Sequence, residues 1–507
     1  MRTVGDVLRS RTSDDHTFLV CDDERLTYRD ACRESRRLAK GLVAAGAGHG
    51  THIGLLIPSG ADFVVAALAA ARIGAVAVPM STMSTTAELH TLIDGSDTEI
   101  LLAFPSYRSK DFETMLREAA GLGAPVLREV LFTGGDAWHG LLNDADTVSD
   151  DLFEAIEADV TPSDDLVIVH TSGSTSAPKG VVHTHGALLD HLRVLNEMRD
   201  YGRGETLFSN SPFFWIGGFA YTLLGTLLAG ATLACSRAAE PSGVLDVIER
   251  ERPTMVNGYA SSVAALAADP SFPRRDLSSI RRGNLYPIMP DSALPADPGL
   301  RTNMLGTTEG GSVVLAGRDN ADDLPESRRG SFGRPVPGYE ARIVDRETGA
   351  DRPVGEKGEL WLRGPALMRG YYGVERFDTF DDDGWFHTGD MARTDEAGHW
   401  YFLGRADDLI KTAGASVSPA EVQDAIRTAT GLDSYVFGLP DAERGQVVAA
   451  VLVTGDGPPP ALRESLAPVL SPYKIPRVVR AVPVSRVPLR SSGKVDMNAL
   501  AELFDDR

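Results

Sequence analysis

Three cysteines in 507 residues, Cys21, Cys32 and Cys235, are too few and too scattered for a disulfide framework. None stands in a CxxC or Cys/His spacing that points to a metal, so they read as small buried hydrophobes in a reducing compartment. No apolar run reaches the roughly 18 residues expected of a membrane-spanning helix. The stretch Met1 to Asp15 is polar and lacks the apolar core of a secretory signal. Basic runs are absent as well, and the formal net charge is −21. An acidic surface repels phosphate backbones and anionic headgroups, which argues against nucleic acid and against integral membrane association. Internal repeats are missing. The absences point to a cytoplasmic globular protein, and the length of 507 residues to roughly two to four domains. Any anionic ligand must find a locally positive site on it.

What is present is alternation. Thr27 with Asp30 three residues on has the form of a capping box, and the amphipathic pattern after it predicts a helix to Ala45. His52 to Ile57 reads as a buried strand, Ala61 to Ile73 as a helix and Ala75 to Val78 as a strand. Such alternation predicts parallel sheets with helices on both faces. Leu166 to Val169 is a further apolar strand that runs into a Gly/Ser/Thr loop, and loops at the carboxyl ends of parallel strands are where α/β folds bind ligands. After Gly330 the texture changes. Arg342 to Asp345 and Glu359 to Arg363 alternate with Gly-rich turns, which predicts a β-rich subdomain. From Asp408 a small α/β unit follows, with a helix near Pro419 to Ala429, a strand at Gln446 to Val453 and a helix near Ala461 to Val469. The segment Gly404 to Asp408 is the best domain boundary.

The strongest chemical signal is Thr171-Ser172-Gly173-Ser174-Thr175-Ser176-Ala177-Pro178-Lys179-Gly180. Small residues let backbone N–H groups approach phosphate oxygens, hydroxyls add donors, and Lys179 adds a charge. The GKS/T spacing of a Walker A loop is absent. By itself such a loop is more often a plain flexible connection.

The loop resembles the phosphate-binding signature of the acyl-adenylate-forming (AMP-binding) superfamily, which holds acyl-CoA synthetases, luciferases and peptide adenylation domains. Leu305-Gly306-Thr307-Thr308-Glu309 is similar to its Tyr-Gly-x-Thr-Glu segment, and His387-Thr388-Gly389-Asp390 to its Thr-Gly-Asp segment. Gly404 to Val417, with Pro419 and Glu421, resembles its hinge motif, and Ser492-Gly493-Lys494 its C-terminal lysine motif. Alone, each segment has an ordinary explanation: a solvated Glu309, a turn aspartate, a local Arg405–Asp407 pair, an exposed Lys494. Their occurrence in order from 171 to 494 is what reverses those odds.

The resemblance implies an α/β fold. It has a large N-terminal region, residues 1–406, of two α/β subdomains plus a β-rich subdomain, and a small mobile α+β C-terminal domain, residues 407–507, with its hinge at Asp407. It implies ATP, Mg²⁺ and, as co-substrate, CoA. Thr171, Ser172, Gly173, Ser174 and Thr175 with Lys179 would hold phosphates. Thr307 and Thr308 would join the nucleotide site. Glu309 and Thr175 would hold Mg²⁺, whose hard character suits oxygen ligands. Asp390 would accept from the ribose hydroxyls, with Arg405 beside it. Lys494 would bridge carboxylate and α-phosphate during adenylation, and Gly414 would clear the passage of the CoA thiol arm.

The match departs from the family at four places. Ser176 replaces a glycine of the loop. Leu305 replaces the aromatic that packs on adenine, and Leu285 to Met289 replaces a Gly-Gly-Ala-Pro segment, with Tyr286 as a candidate substitute ring. Trp215, in the acyl-pocket segment Ser211 to Gly218, stands where CoA ligases commonly have histidine. Ile216 follows it where amino-acid-activating relatives place an acidic residue, which disfavours a free amino acid. Trp215, Gly217 and Tyr259 are the expected acyl pocket, suited to a fatty, alicyclic or aromatic acid. Three readings are compatible with these residues: a carboxylate–CoA ligase releasing AMP and pyrophosphate, an adenylating enzyme that passes the acyl group to a carrier-protein thiol, amine or other nucleophile, and a non-catalytic nucleotide-binding relative.

Overall fold

The computed structural model describes residues 2–121, 123–171, 178–259, 263–317, 324–406, 408, 410–412, 415–417, 419–441, 444–455, 457–459, 461–467, 470, 474–490 and 494–504. The chain divides into two compact units, residues 1–340 with 363–383 and residues 341–362 with 384–507.

The first unit is built on two sheets. A seven-stranded sheet runs in the order Gly370–Tyr371, Lys179–Thr184, Asp165–Thr171, Val76–Pro79, His52–Leu56, Ile100–Ala103, Glu129–Phe132. Its last five strands are parallel, as the alternating pattern predicts. The strand after the Ser/Gly/Thr loop returns antiparallel to Asp165–Thr171, so the loop joins two neighbouring strands instead of opening a helix. A six-stranded sheet contains Thr206–Ser209, Thr232–Cys235 and Met255–Asn257, all parallel to their neighbours. Helix Ala61–Arg72 packs against strands of both sheets. Ten of its twelve residues are buried, as a largely apolar helix between two layers must be. The buried Arg72 at its end is satisfied by Glu157 at 2.5 Å, the Cys32 carbonyl at 2.7 Å and the Ser35 hydroxyl at 3.1 Å. A buried guanidinium needs such a shell to offset its lost hydration. Helix Tyr28–Ala44 begins at Thr27 with the predicted capping box to Asp30.

The second unit holds a four-stranded sheet, Glu340–Val344, Gly358–Arg363, Phe386–Thr394 and Trp400–Arg405, and a five-stranded sheet built around Gly445–Val453. Helix Pro419–Thr430 packs on strand Trp400–Arg405, which is why packing groups the β-rich sheet with the C-terminal residues. Among the described residues no helix is long and apolar enough to cross a membrane. The three cysteines are free and buried.

Candidate active site

Pairing of Thr171 with Lys179 across the two antiparallel strands pins both ends of the Ser/Gly/Thr loop. Ser172, Gly173, Ser174 and Thr175 themselves lie outside the described residues. What surrounds the foot of the loop is defined. Strand Gly370–Tyr371 pairs with the edge of Lys179–Thr184, and this sets the Tyr371 ring 4.8 Å from the Lys179 ammonium. The Tyr371 hydroxyl donates to the Glu309 carboxylate at 2.9 Å, and the Glu309 carbonyl accepts from Met368 N–H at 2.8 Å. Lys179, Tyr371 and Glu309 thus form one junction between the loop and the Thr-Thr-Glu segment. Tyr371 carries no sequence signal that would have singled it out; its role depends on an edge-strand pairing between residues far apart in the chain.

The Thr-Thr-Glu segment is held from below. Buried His183 meets the Thr308 carbonyl through Nε2 at 2.7 Å, which requires the proton on that nitrogen. Burial holds the ring neutral, with its pKa lowered to about 4. Thr307 caps the turn by accepting from Gly310 N–H at 2.9 Å, and the Tyr339 hydroxyl donates to the Gly310 carbonyl at 2.7 Å. His183 is a second residue the sequence did not mark. Glu309 is half-buried, and its carboxylate is a hard oxygen donor that fits a Mg²⁺ ion also held by phosphates. Among the described residues no group of three or more His, Cys, Asp or Glu side chains could hold a metal by themselves.

Trp215, Gly217 and Tyr259 come together. The Trp215 and Tyr259 rings meet edge to face at 4.8 Å, and a side chain on Gly217 would sit 3.8 Å from the Tyr259 hydroxyl. The Phe-Phe-Trp run is split in burial. Phe213 and Phe214 are buried, Phe213 against Phe63, whereas Trp215 is only half-buried. Gly217 opens a widened helical turn, Gly217–Leu224, of the π type that often marks functional sites. Tyr221 on that turn, Asn257, Tyr286 and Met304 wall a cavity of about 680 Å³. Tyr286 therefore does face a cavity, while Leu305 is buried.

In the second unit Asp390 and Arg405 are cross-strand partners, and their side chains pair at 3.2 Å. Asp390 is buried and Arg405 exposed, so the guanidinium covers the carboxylate. The turn before Asp390 needs glycine, since Gly389 has φ +72° and a Cβ there would come within 3.2 Å of the Arg405 guanidinium. Gly389 N–H donates to buried Glu359 at 2.8 Å, and Asp390 N–H donates to the Thr388 hydroxyl at 3.0 Å. Glu359 is thus a positioning residue that the sequence reading left out. Lys494 is exposed on a turn whose carbonyl accepts from Arg490 N–H at 2.7 Å, next to the Leu489/Val495 bridge. Asp407 and Gly414 lie outside the described residues.

Residues 8–372 match the model of the AMP-binding enzyme family, and residues 421–494 that of the AMP-binding enzyme C-terminal domain. The chain is 32% identical to a feruloyl-CoA synthase of Amycolatopsis sp, with 96% of each chain covered. It is 29% identical to a 3-hydroxybenzoate–CoA ligase of Aromatoleum sp. (strain CIB), covering 97% of this chain and 94% of that one. Its fold superposes on the crystal structure of the anthranilate CoA ligase AuaEII in complex with anthranoyl-AMP with a TM-score of 0.85. That alignment covers 99% of this chain and 97% of the other at 24% identity, a likeness of fold.

Proposed function

This chain belongs to the AMP-binding enzyme family, and we propose that it is an ATP-dependent acid–thiol ligase that converts an aromatic or alicyclic carboxylic acid into its CoA thioester through an acyl-adenylate. The observation that carries the reading is the Lys179–Tyr371–Glu309 junction at the foot of the loop, where a cation and a carboxylate stand ready for a phosphate chain and its metal. The names of the relatives, feruloyl-CoA synthase and 3-hydroxybenzoate–CoA ligase, support an aromatic acid, as does the Trp215–Tyr259 pair beside Gly217.

The chemistry joins two anions, so positioning and electrostatics dominate it. Thr171 to Thr175 and Lys179 hold the phosphates. Thr307 and Thr308 present Glu309, which with the Thr175 hydroxyl would hold Mg²⁺; the ion would neutralise charge on the phosphates. Asp390 accepts from the ribose hydroxyls with Arg405 beside it. Lys494 places its ammonium between carboxylate and α-phosphate, where charge grows in the transition state. The C-terminal residues then turn about Asp407, Lys494 leaves, and the loop at Gly414 admits the thiol of CoA. We place the enzyme in the cytoplasm, where its free buried cysteines stay reduced.

Incubation of the purified protein with ATP, Mg²⁺ and a panel of aromatic and alicyclic acids tests the reading. Acid-dependent pyrophosphate release, and thioester only when CoA is added, is the expected result. Pyrophosphate release without any thioester would send the acyl group to another nucleophile. No pyrophosphate with any acid would overturn the proposal.

A further inference from the structure

Strand Met255–Asn257 lies between two parallel neighbours in the six-stranded sheet, Thr206–Ser209 on one side and Arg282–Gly283 on the other. Its backbone pairing stops at the Ser209/Asn257 and Val256/Gly283 rungs, where both neighbouring strands end. One neighbour leads into the acyl segment Ser211 to Gly218, the other into the short turn Tyr286–Ile288. Gly258 and Tyr259 run on past the last rung, so no neighbouring backbone is left to pair with them.

Side-chain amides take over there. Asn284, the residue after Gly283, accepts from Gly258 N–H at 3.0 Å and donates to the Gly258 carbonyl at 2.8 Å. Asn210, the residue after Ser209, accepts from Tyr259 N–H at 2.9 Å and donates to the Tyr259 carbonyl at 3.1 Å. Each asparagine thus supplies the rung that its own strand no longer provides. Only an amide carries a donor and an acceptor side by side; aspartate has the same shape and no donor. The fit is close enough to exclude a side chain at residue 258, where φ is +151° and a Cβ would lie 1.7 Å from Asn210 Oδ1.

The clamped residue bears the ring that meets Trp215 edge to face at 4.8 Å. Tyr259 is 42% exposed, so burial does little to fix it. A pocket that selects by shape needs its walls set before the ligand arrives. We infer that Asn210 and Asn284 are positioning residues for acid selection: they hold Tyr259 against Trp215, and through that ring they set which acid shapes the enzyme prefers. The inference rests on the ligase reading above. Asn210 also opens the segment that leads to Trp215, so one side chain registers both aromatic walls against each other.

Hydrogen exchange reads the clamp, and kinetics read its use. The Tyr259 amide should be protected in the wild-type protein, and Asn210→Ala should speed its exchange by about three- to tenfold, the range of one neutral hydrogen bond. Asn284→Ala should do the same at the Gly258 amide. The kinetic measure is the ratio of kcat/KM for a flat aromatic acid to that for its saturated-ring counterpart. Tyr259→Ala should change this ratio by about tenfold or more. Asn210→Ala should move it in the same direction by about three- to tenfold, and Asn210→Asp, which keeps the shape but loses the donor, should move it that way too. In the Tyr259→Ala background Asn210→Ala should leave the ratio where it is, because the ring it positions is gone. A ratio unchanged by Asn210→Ala would overturn the inference, as would the same factor with and without the Tyr259 ring, whatever the melting temperature does. So would a wild-type Tyr259 amide that exchanges at the free-chain rate. Absence of acid-dependent pyrophosphate release with every acid would instead sink the ligase reading, and the acid-selecting role with it, while exchange still reports the clamp.

Discussion

Tyr371 and Trp215 show how much a single side chain decides here, and how differently each can be foreseen. Tyr371 donates to Glu309 at 2.9 Å and lies under the Lys179 ammonium. Tyr371→Phe keeps the ring and removes the donor to a charged acceptor, an interaction worth about 1.5–3 kcal/mol. Adenylation at limiting Mg²⁺–ATP should therefore fall by roughly tenfold or more, with the loss concentrated in KM. A steady-state titration of ATP at fixed Mg²⁺ checks this, and an unchanged KM would remove Tyr371 from the site. Trp215 was readable from its place after Ser211-Pro212-Phe213-Phe214, though a Phe-Phe-Trp run alone says core as easily as pocket. Only its half-buried position against Tyr259 separates it from the two phenylalanines. Trp215→Ala should shift preference towards bulkier acids, read as ratios of kcat/KM across an acid series. A uniform loss across all acids with a lower melting temperature would mean that Trp215 is core after all.

At the scale of elements, local signals were the most legible. The Thr27/Asp30 capping box, the helix Ala61–Arg72 and the strands that flank it are all where periodicity places them, because capping and burial act within a few residues. The antiparallel return of Lys179–Thr184 was not legible, since strand direction is set by the partner and not by the strand's own composition. Nor were the buried histidines at its end. His185 accepts from Val4 N–H through Nδ1 at 3.2 Å and so anchors the helix Val4–Arg9. Burial lowers its pKa, and those of His183 and His191, from 6.5 to about 4. The unfolded chain takes up protons at these rings near 6.5 and the folded chain only near 4. Their stability contribution is therefore complete above the upper value and is lost as pH falls between the two, by roughly 1 kcal/mol per pH unit for each ring. Asp62 and Asp165, raised by burial, oppose this only near their own lower range. The melting temperature should begin to fall below about pH 6.5, well before ordinary carboxylates titrate. His185→Gln, whose amide oxygen can still accept from Val4, should make the fall shallower. A stability flat from pH 6.5 to 4.5 would show that the rings find protons in the folded state.

For the whole molecule the decisive question is whether one C-terminal segment serves two half-reactions. Lys494 is exposed in the second unit. Lys494→Ala should cripple adenylation, since it removes a charge acting on the transition state, and should spare thioester formation from pre-formed acyl-adenylate. Gly414→Leu should do the reverse. Pyrophosphate exchange and single-turnover thioester assays on folded variants separate the two steps. Equal losses in both steps for both variants would sink domain alternation while leaving the ligase assignment standing.

By itself the sequence determined the family and the alternating architecture, and it nominated the residues proposed to touch nucleotide: Thr171, Lys179, Glu309, Asp390, Arg405 and Lys494 stand in short segments whose chemistry is local and ordered along the chain. Only the tertiary structure decided what those residues lean on. Tyr371 reaches Glu309 through an edge-strand pairing, Arg405 covers Asp390 by cross-strand register, and Arg199, at the end of a helix that carries no motif, lies against the Tyr201 and Tyr221 rings. The physical reason is that hydrogen bonds and desolvation act between neighbours in space. A residue's type and spacing tell what it can donate or accept, but whether a guanidinium ends beside a carboxylate, as Arg72 does, or against aromatic rings, as Arg199 does, is settled by which elements pack against it.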